Sequence, residues 1–122
     1  MKKNRSTQIH IFLGKLIFFW GFMQIALIGL AHFGVTTTMY HAIGGVLLAV
    51  MALVMLITAI TGKLGGRHIG LSVLLLLLVF PVQGFLVHAP VVPAVARALH
   101  PLFGISIMFL ARYLSVQAAG KK

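Results

Sequence analysis

Chemistry in this sequence falls to six histidines, His10, His32, His41, His68, His88 and His100, with Tyr40 and Tyr113 beside them, because the chain has no Asp, Glu or Cys. Missing carboxylates exclude paired-acid hydrolysis, oxygen-rich Ca²⁺ or Mg²⁺ sites and a Ser/His/Asp triad. Missing cysteines exclude disulfides, thiolate catalysis, Fe–S clusters and covalent haem attachment through Cys-x-x-Cys-His. What imidazoles can still do is ligate a transition metal or haem iron, or exchange a proton near neutral pH.

An internal repeat singles out two of the six. Laying the second half of the chain on the first with an offset of 59 aligns Gln24 with Gln83, His41 with His100 and Gly45 with Gly104. In YHAIGGV and LHPLFGI alike, a Gln stands 17 residues before the His and a Gly four residues after it. Two matched hairpins related by an axis along the membrane normal would put both histidines at one depth. Residues i and i+4 share a helix face, so Gly45 and Gly104 would leave slots beside the ligands. A planar macrocycle held by His41 and His100 would stand edge-on between them, whereas on packing grounds alone small residues simply let membrane helices approach. Arg97, one turn before His100, is placed to meet a haem propionate or to snorkel to lipid phosphate. Pro101 frees the Arg97 carbonyl as an acceptor for the other ring nitrogen of His100, which would fix the ligating tautomer.

The elements that must carry these residues are membrane spans. The sequence has 122 residues, 61% hydrophobic, with ten Lys or Arg, a composition outside that of soluble domains. The basic residues stand at the ends of apolar runs rather than along a polar face, which argues against a nucleic-acid partner. About 20 apolar residues cross the hydrocarbon, and four such runs are marked off at about 9–33, 39–61, 68–88 and 93–116. The connections GVTTT, GKLGGR and APVV are short and rich in Gly, Thr and Pro, so sequential helices pack antiparallel. The fold expected is all-α: one membrane domain spanning 1–122, an up-down-up-down four-helix transmembrane bundle of two repeated hairpins. Thr36 to Thr38 offer an N-cap, Pro93 suits a first helical position, and Pro81 should bend the third helix. Lys2, Lys3, Arg5, Lys63, Arg67, Lys121 and Lys122 fall on one side, so both termini are expected in the cytoplasm. The first run is read as a span rather than a cleaved signal peptide, because it is long for a signal core and lacks a small-x-small cleavage site.

In such a bundle the second and fourth helices stand on a diagonal of about 11 to 14 Å, set by neighbour spacings of about 8 to 10 Å. Two imidazoles reaching inward along it leave room for one metal. The other histidines fall outside the repeat. His32 and His88 close the first and third helices among the headgroups, where they would be interfacial residues or serve as propionate or quinol partners. His10 and His68 open those helices on the other diagonal. A second haem is not expected there, because Lys15 lies only five residues inside His10 and His68 has no matching Gly. Gln24 and Gln83, near mid-membrane, are read as interhelical hydrogen-bonding groups.

The strings QIALIGLAHFG and YHAIGG, then VQGFLVHAP and ALHPLFG, resemble an uncharacterised family of small four-helix bacterial membrane proteins over nearly the whole chain. The pattern is also similar to the helix pairs of haem A synthase and, more loosely, to haem-binding four-helix cytochrome b proteins. The resemblance implies a bacterial inner-membrane location and haem ligation by His41 and His100. This chain is about half as long as haem A synthase and lacks its catalytic carboxylate and cysteine pair, so the synthase activity does not carry over.

Three functional classes follow. The leading one is a membrane b-type haem protein, an electron carrier rather than a stand-alone catalyst, exchanging electrons with quinol or a redox protein. The alternative is a non-redox accessory or assembly subunit of a larger membrane complex, with His41 and His100 hydrogen-bonded across the core. A small proton-coupled exporter is the third, in which a histidine would replace the intramembrane carboxylate such transport ordinarily uses.

Overall fold

The structure, a computed structural model, describes residues 3–120. Of the basic residues that set the expected orientation, Lys2, Lys121 and Lys122 lie outside the described residues. Four helices are long and apolar enough to cross a membrane: α1 (Arg5–His32), α2 (Thr38–Thr61), α3 (Gly66–His88) and α4 (Ala94–Gly120). They run up-down-up-down. α1 packs extensively against α4 and α2, and α3 closes the square against α2 and α4, while neither diagonal pair makes backbone contact among the described residues.

Local chemistry sets the ends. Asn4 Oδ1 accepts the Thr7 amide at 2.8 Å, so α1 begins several residues before its apolar run. Thr37 occupies the α2 N-cap with no side-chain capping bond, and Pro93 precedes the first turn of α4 as its N-cap rather than lying inside it. After α2 the chain reverses through Lys63 and Gly65, at φ 54° and 91°, while the Leu64 amide returns to Ala59 O at 3.0 Å. Leu64 is buried with Ala59 and Ala118 and seals that end of the bundle.

Lipid supplies no hydrophobic drive between helices, so close packing of small residues and interhelical hydrogen bonds hold the bundle. Ala52, Ala59, Ala111 and Ala118 are completely buried. A Cβ at Gly14 would stand 2.6 Å from Ala111 O and 2.7 Å from Ser115 Cβ. One at Gly21 would collide with the Met108 side chain, and one at Gly44 with the Gln24 amide. These three glycines therefore serve helix contact.

The repeat persists in three dimensions and carries one irregularity. The offset of 59 that pairs His41 with His100 also pairs Ala52 with Ala111, Met55 with Leu114 and Ala59 with Ala118, all fully buried. Between α1 and α3 the offset changes along the helix. Residues Leu78–Val82 of α3 form a π turn around Pro81. A π turn holds one residue more than the α-helix it interrupts. Before it the matching offset is 58, as between His10 and His68, and it likewise relates buried Gly14 to Ser72 and Ile17 to Leu75. After it the offset is 59. Pro81 thus marks the point where the two hairpins differ by one residue.

Candidate functional site

At the end of the bundle that carries the 33–37 and 89–93 connections, His41 and His100 meet across the α2–α4 diagonal with ring centroids 6.1 Å apart. Each sits in an early turn of its helix, held there by the preceding helix. His41 Nδ1 lies 3.0 Å from Gln24 O. In the orientation its neighbours require, the Gln24 side-chain amide also faces this nitrogen, at 3.2 Å, so Gln24 grips the ring edge through both its backbone carbonyl and its side chain. The Gln83 amide donates to His100 O at 3.3 Å. In the orientation its neighbours require, the Gln24 amide donates to His41 O at 2.8 Å and accepts from Trp20 Nε1 at 3.2 Å. The two glutamines are thus equivalent, each tying one helix to the backbone of the histidine on the next.

The two halves differ at the second ring nitrogen. His100 Nδ1 is buried with no hydrogen-bond partner, as is Gln83 Oε1. The bond expected from His100 to the Arg97 carbonyl freed by Pro101 is therefore not made. Leaving such groups unpaired costs about 1 to 3 kcal/mol each, so this wall lacks polar partners. Nor does a hydrogen bond join His41 to His100 among the described residues.

Both histidines line a cavity of about 370 Å³ whose wall is otherwise almost entirely apolar and includes Gln24, Gln83, Gly45 and Gly104, a size typical of small-molecule sites. Ile25 and Ile28 of α1 and Pro101 and Ile105 of α4 also line it. All four are exposed on the outer faces of their helices, so the cavity opens sideways between α1 and α4. A Cβ at Gly45 would meet nothing within 4 Å, and one at Gly104 only Gln83 Nε2 at 3.8 Å. Gly45 and Gly104 border open space, whereas an added Cβ at Gly14, Gly21 or Gly44 would run into a neighbouring helix, although Gly21 also lines the cavity.

These features fit a haem in three respects. Two metal–nitrogen bonds of about 2 Å each, with an imidazole radius added at either end, span about 6 Å. The glycines leave the cradle that added side chains would fill, and apolar walls exclude water. Arg97 stands outside the cavity wall, exposed, with Nε donating to Val92 O at 3.2 Å. His32 and His88 are exposed at the ends of α1 and α3.

The other diagonal is closed. His10 and His68 are buried, with their Nε2 atoms 2.8 Å apart and hydrogen-bonded. Gly14, four residues after His10, is filled by Ala111 and Ser115. That arrangement does not fit a haem. The position of Lys15 points to the headgroups for His10, yet His10 is completely enclosed by its neighbours while Lys15 is exposed on the outer face of the same helix. The pairing of His10 with His68 escapes a comparison made at one fixed offset; the signal for it is the offset of 58 shared with Gly14/Ser72 and Ile17/Leu75.

In comparisons with protein-family models, curated proteins and solved structures, none matches this chain.

Proposed function

We propose that this chain is a membrane b-type haem protein, with His41 and His100 as axial ligands and Gly45 and Gly104 flanking the macrocycle, seated in a bacterial inner membrane with both termini in the cytoplasm. Haem held by two histidines supplies a one-electron couple with no open coordination position, which suits electron transfer rather than oxygen chemistry. The reading rests on one contrast: of the glycines that line the cavity, Gly45 and Gly104 leave room for an added Cβ, whereas Gly21 has the Met108 side chain against it.

The chain's own groups have definable tasks in this reading. Gln24 orients the His41 ring through its backbone carbonyl and side-chain amide. Gln83 holds the His100 backbone while leaving the ring clear. Apolar walls from α1 and α4 exclude water, and the lateral opening between them gives quinol or porphyrin a route from the bilayer. Arg97, exposed one turn before His100, supplies positive charge for carboxylates at the rim. The accessory-subunit alternative has His41 and His100 hydrogen-bonded across the core; they do not bond to each other, although each is tied to the preceding helix through Gln24 or Gln83.

The test is the visible spectrum of detergent-purified protein, oxidised and dithionite-reduced. The expected result is a sharp reduced α band at about one haem per chain, lost in His41→Ala and in His100→Ala. Colourless wild-type protein, after expression with added haem precursor, refutes the reading.

A further inference from the structure

His41 and His100 are not held alike. Resting on the haem reading above, we propose that His41 is the permanent ligand and His100 the exchangeable one. The reduced protein then takes a neutral diatomic ligand, carbon monoxide or nitric oxide, on the His100 face. Gln24 grips the His41 ring edge through its backbone carbonyl at 3.0 Å and through its side-chain amide at 3.2 Å. Gln83 reaches only the backbone oxygen of His100, and the buried Nδ1 of that ring has no partner among the described residues. A hydrogen bond to the second ring nitrogen orients a ligating imidazole and raises its basicity, so a ring without one is the weaker ligand.

The backbone differs in the same sense. His41 lies in the uninterrupted helix Thr38–Thr61 and is followed by Ala42. At the matching place after His100 the repeat has Pro101, and α4 is interrupted at Ala98, between Arg97 and Leu99. Proline removes a helical hydrogen bond to the residue four before it, so the turn that carries His100 yields more readily than the turn that carries His41.

Access follows from where the helices stand. A planar macrocycle ligated from α2 and α4 lies across the line joining the two histidines. The gap between α1 and α4 therefore opens on the His100 side of that plane, and the gap between α1 and α2 on the His41 side. The first is the mouth of the cavity, where Pro101 and Ile105 of α4 face Ile25 and Ile28 of α1. The second is closed: Trp20 Nε1 donates to Gly44 O at 3.2 Å, and the Gln24 amide sits against Gly44. An apolar mouth facing lipid admits neutral gases dissolved in the bilayer and refuses ions, whose transfer out of water is costly.

The exchange transfers neither an electron nor a proton: one bond from His100 Nε2 to the iron breaks and one from the diatomic forms. The departing ring keeps its proton on Nδ1. Turning it brings that N–H toward Gln83 Oε1, the other buried group without a partner. Gln24, the counterpart of Gln83, reaches both the backbone oxygen and Nδ1 of His41, so a glutamine at this place in the repeat spans the two. Departure thus relieves two groups that ligation leaves unpaired.

The experiment is carbon monoxide binding to dithionite-reduced, haem-loaded full-length protein in detergent, followed by stopped-flow absorbance. Wild type, Pro101→Ala, His41→Ala and His100→Ala are compared. In wild type the rate should rise with carbon monoxide concentration and then level off, because His100 must leave first. Pro101→Ala makes the second hairpin match the first and restores the backbone bond, so it should lower that ceiling several-fold with the α band intact. Both histidine variants lose the two-histidine α band. His100→Ala should nevertheless hold haem more tightly than His41→Ala, by the about 5- to 150-fold that one unpaired buried group amounts to, and bind carbon monoxide with no ceiling. Where neither histidine variant retains haem, the ceiling in Pro101→Ala decides. Coloured wild-type protein that takes up no carbon monoxide overturns the exchange and leaves the haem reading standing. An unchanged ceiling in Pro101→Ala, or tighter haem binding in His41→Ala, overturns the choice of His100. Colourless wild-type protein removes the haem reading and this inference with it.

Discussion

Glycines that pack and glycines that make room respond oppositely to one methyl group, and Gly45→Ala with Gly104→Ala provides the sharpest consequence. In the ligand-free bundle, the new Cβ at position 45 meets nothing within 4 Å and that at 104 meets only the Gln83 amide at 3.8 Å. No steric cost opposes the gain in helix propensity, up to about 1 kcal/mol per site. With a macrocycle in the cavity the same methyl becomes an overpacked contact, at about 1 to 3 kcal/mol, which weakens binding about 5- to 150-fold. The measurements are thermal unfolding of ligand-free protein in detergent and a haem titration followed by absorbance. Each variant should unfold at or above the wild-type temperature and yet bind haem more weakly. Wild-type haem affinity in both variants would refute the cradle, because Gly45 and Gly104 would then have no task connected with a ligand.

The opposite sign is expected at the packing glycines. Gly21→Val, driven into Met108, should lower stability by about 1 to 3 kcal/mol, seen as a lower unfolding temperature with or without haem. Gln83→Leu removes the bond to His100 O and should cost about 0.6 kcal/mol, the mean for interhelical bonds in membranes, while broadening the haem spectrum through a less constrained ligand. Asn4→Ala removes the α1 cap and should cost about 1 kcal/mol, with no change in haem content. Deleting Val82 should turn the π turn into regular helix and rotate one half of α3 by about 100° against the other. Either the His10–His68 bond or the Gln83–His100 bond then breaks, and unchanged stability and spectrum in this variant would show that the extra residue has no structural role.

The four spans, their order and the meeting of His41 with His100 were legible because each rests on a property written locally. Apolar runs report span length, short connections force antiparallel neighbours, and a duplicated hairpin transfers depth from one half to the other. What was not legible depends on which face of a helix a neighbour covers. Asn4 extends α1 beyond its apolar run through one side-chain bond, and hydropathy does not record it. Gly44 and Gly45 are adjacent and identical in type, yet one lies against Gln24 and the other against the cavity, a difference set by the rotation of α2. The orphaned His100 Nδ1 is likewise a matter of ring placement.

His10 and His68 show how a single inserted residue hides a relationship. At an offset of 59, His10 falls on Ile69 and His68 on Ile9, so neither looks duplicated. The π turn at Leu78–Val82 absorbs one residue within α3, so one comparison cannot hold on both sides of it. Above the turn, Gln83 keeps the register that serves His100; below it, His68 keeps the register that meets His10. An uninterrupted α-helix would rotate one of these side chains off the bundle axis by about 100°. The irregularity at Pro81 is therefore what lets one helix present a polar group inward at both ends, and the same hairpin repeat ends in an open histidine pair on one diagonal and a hydrogen-bonded pair on the other.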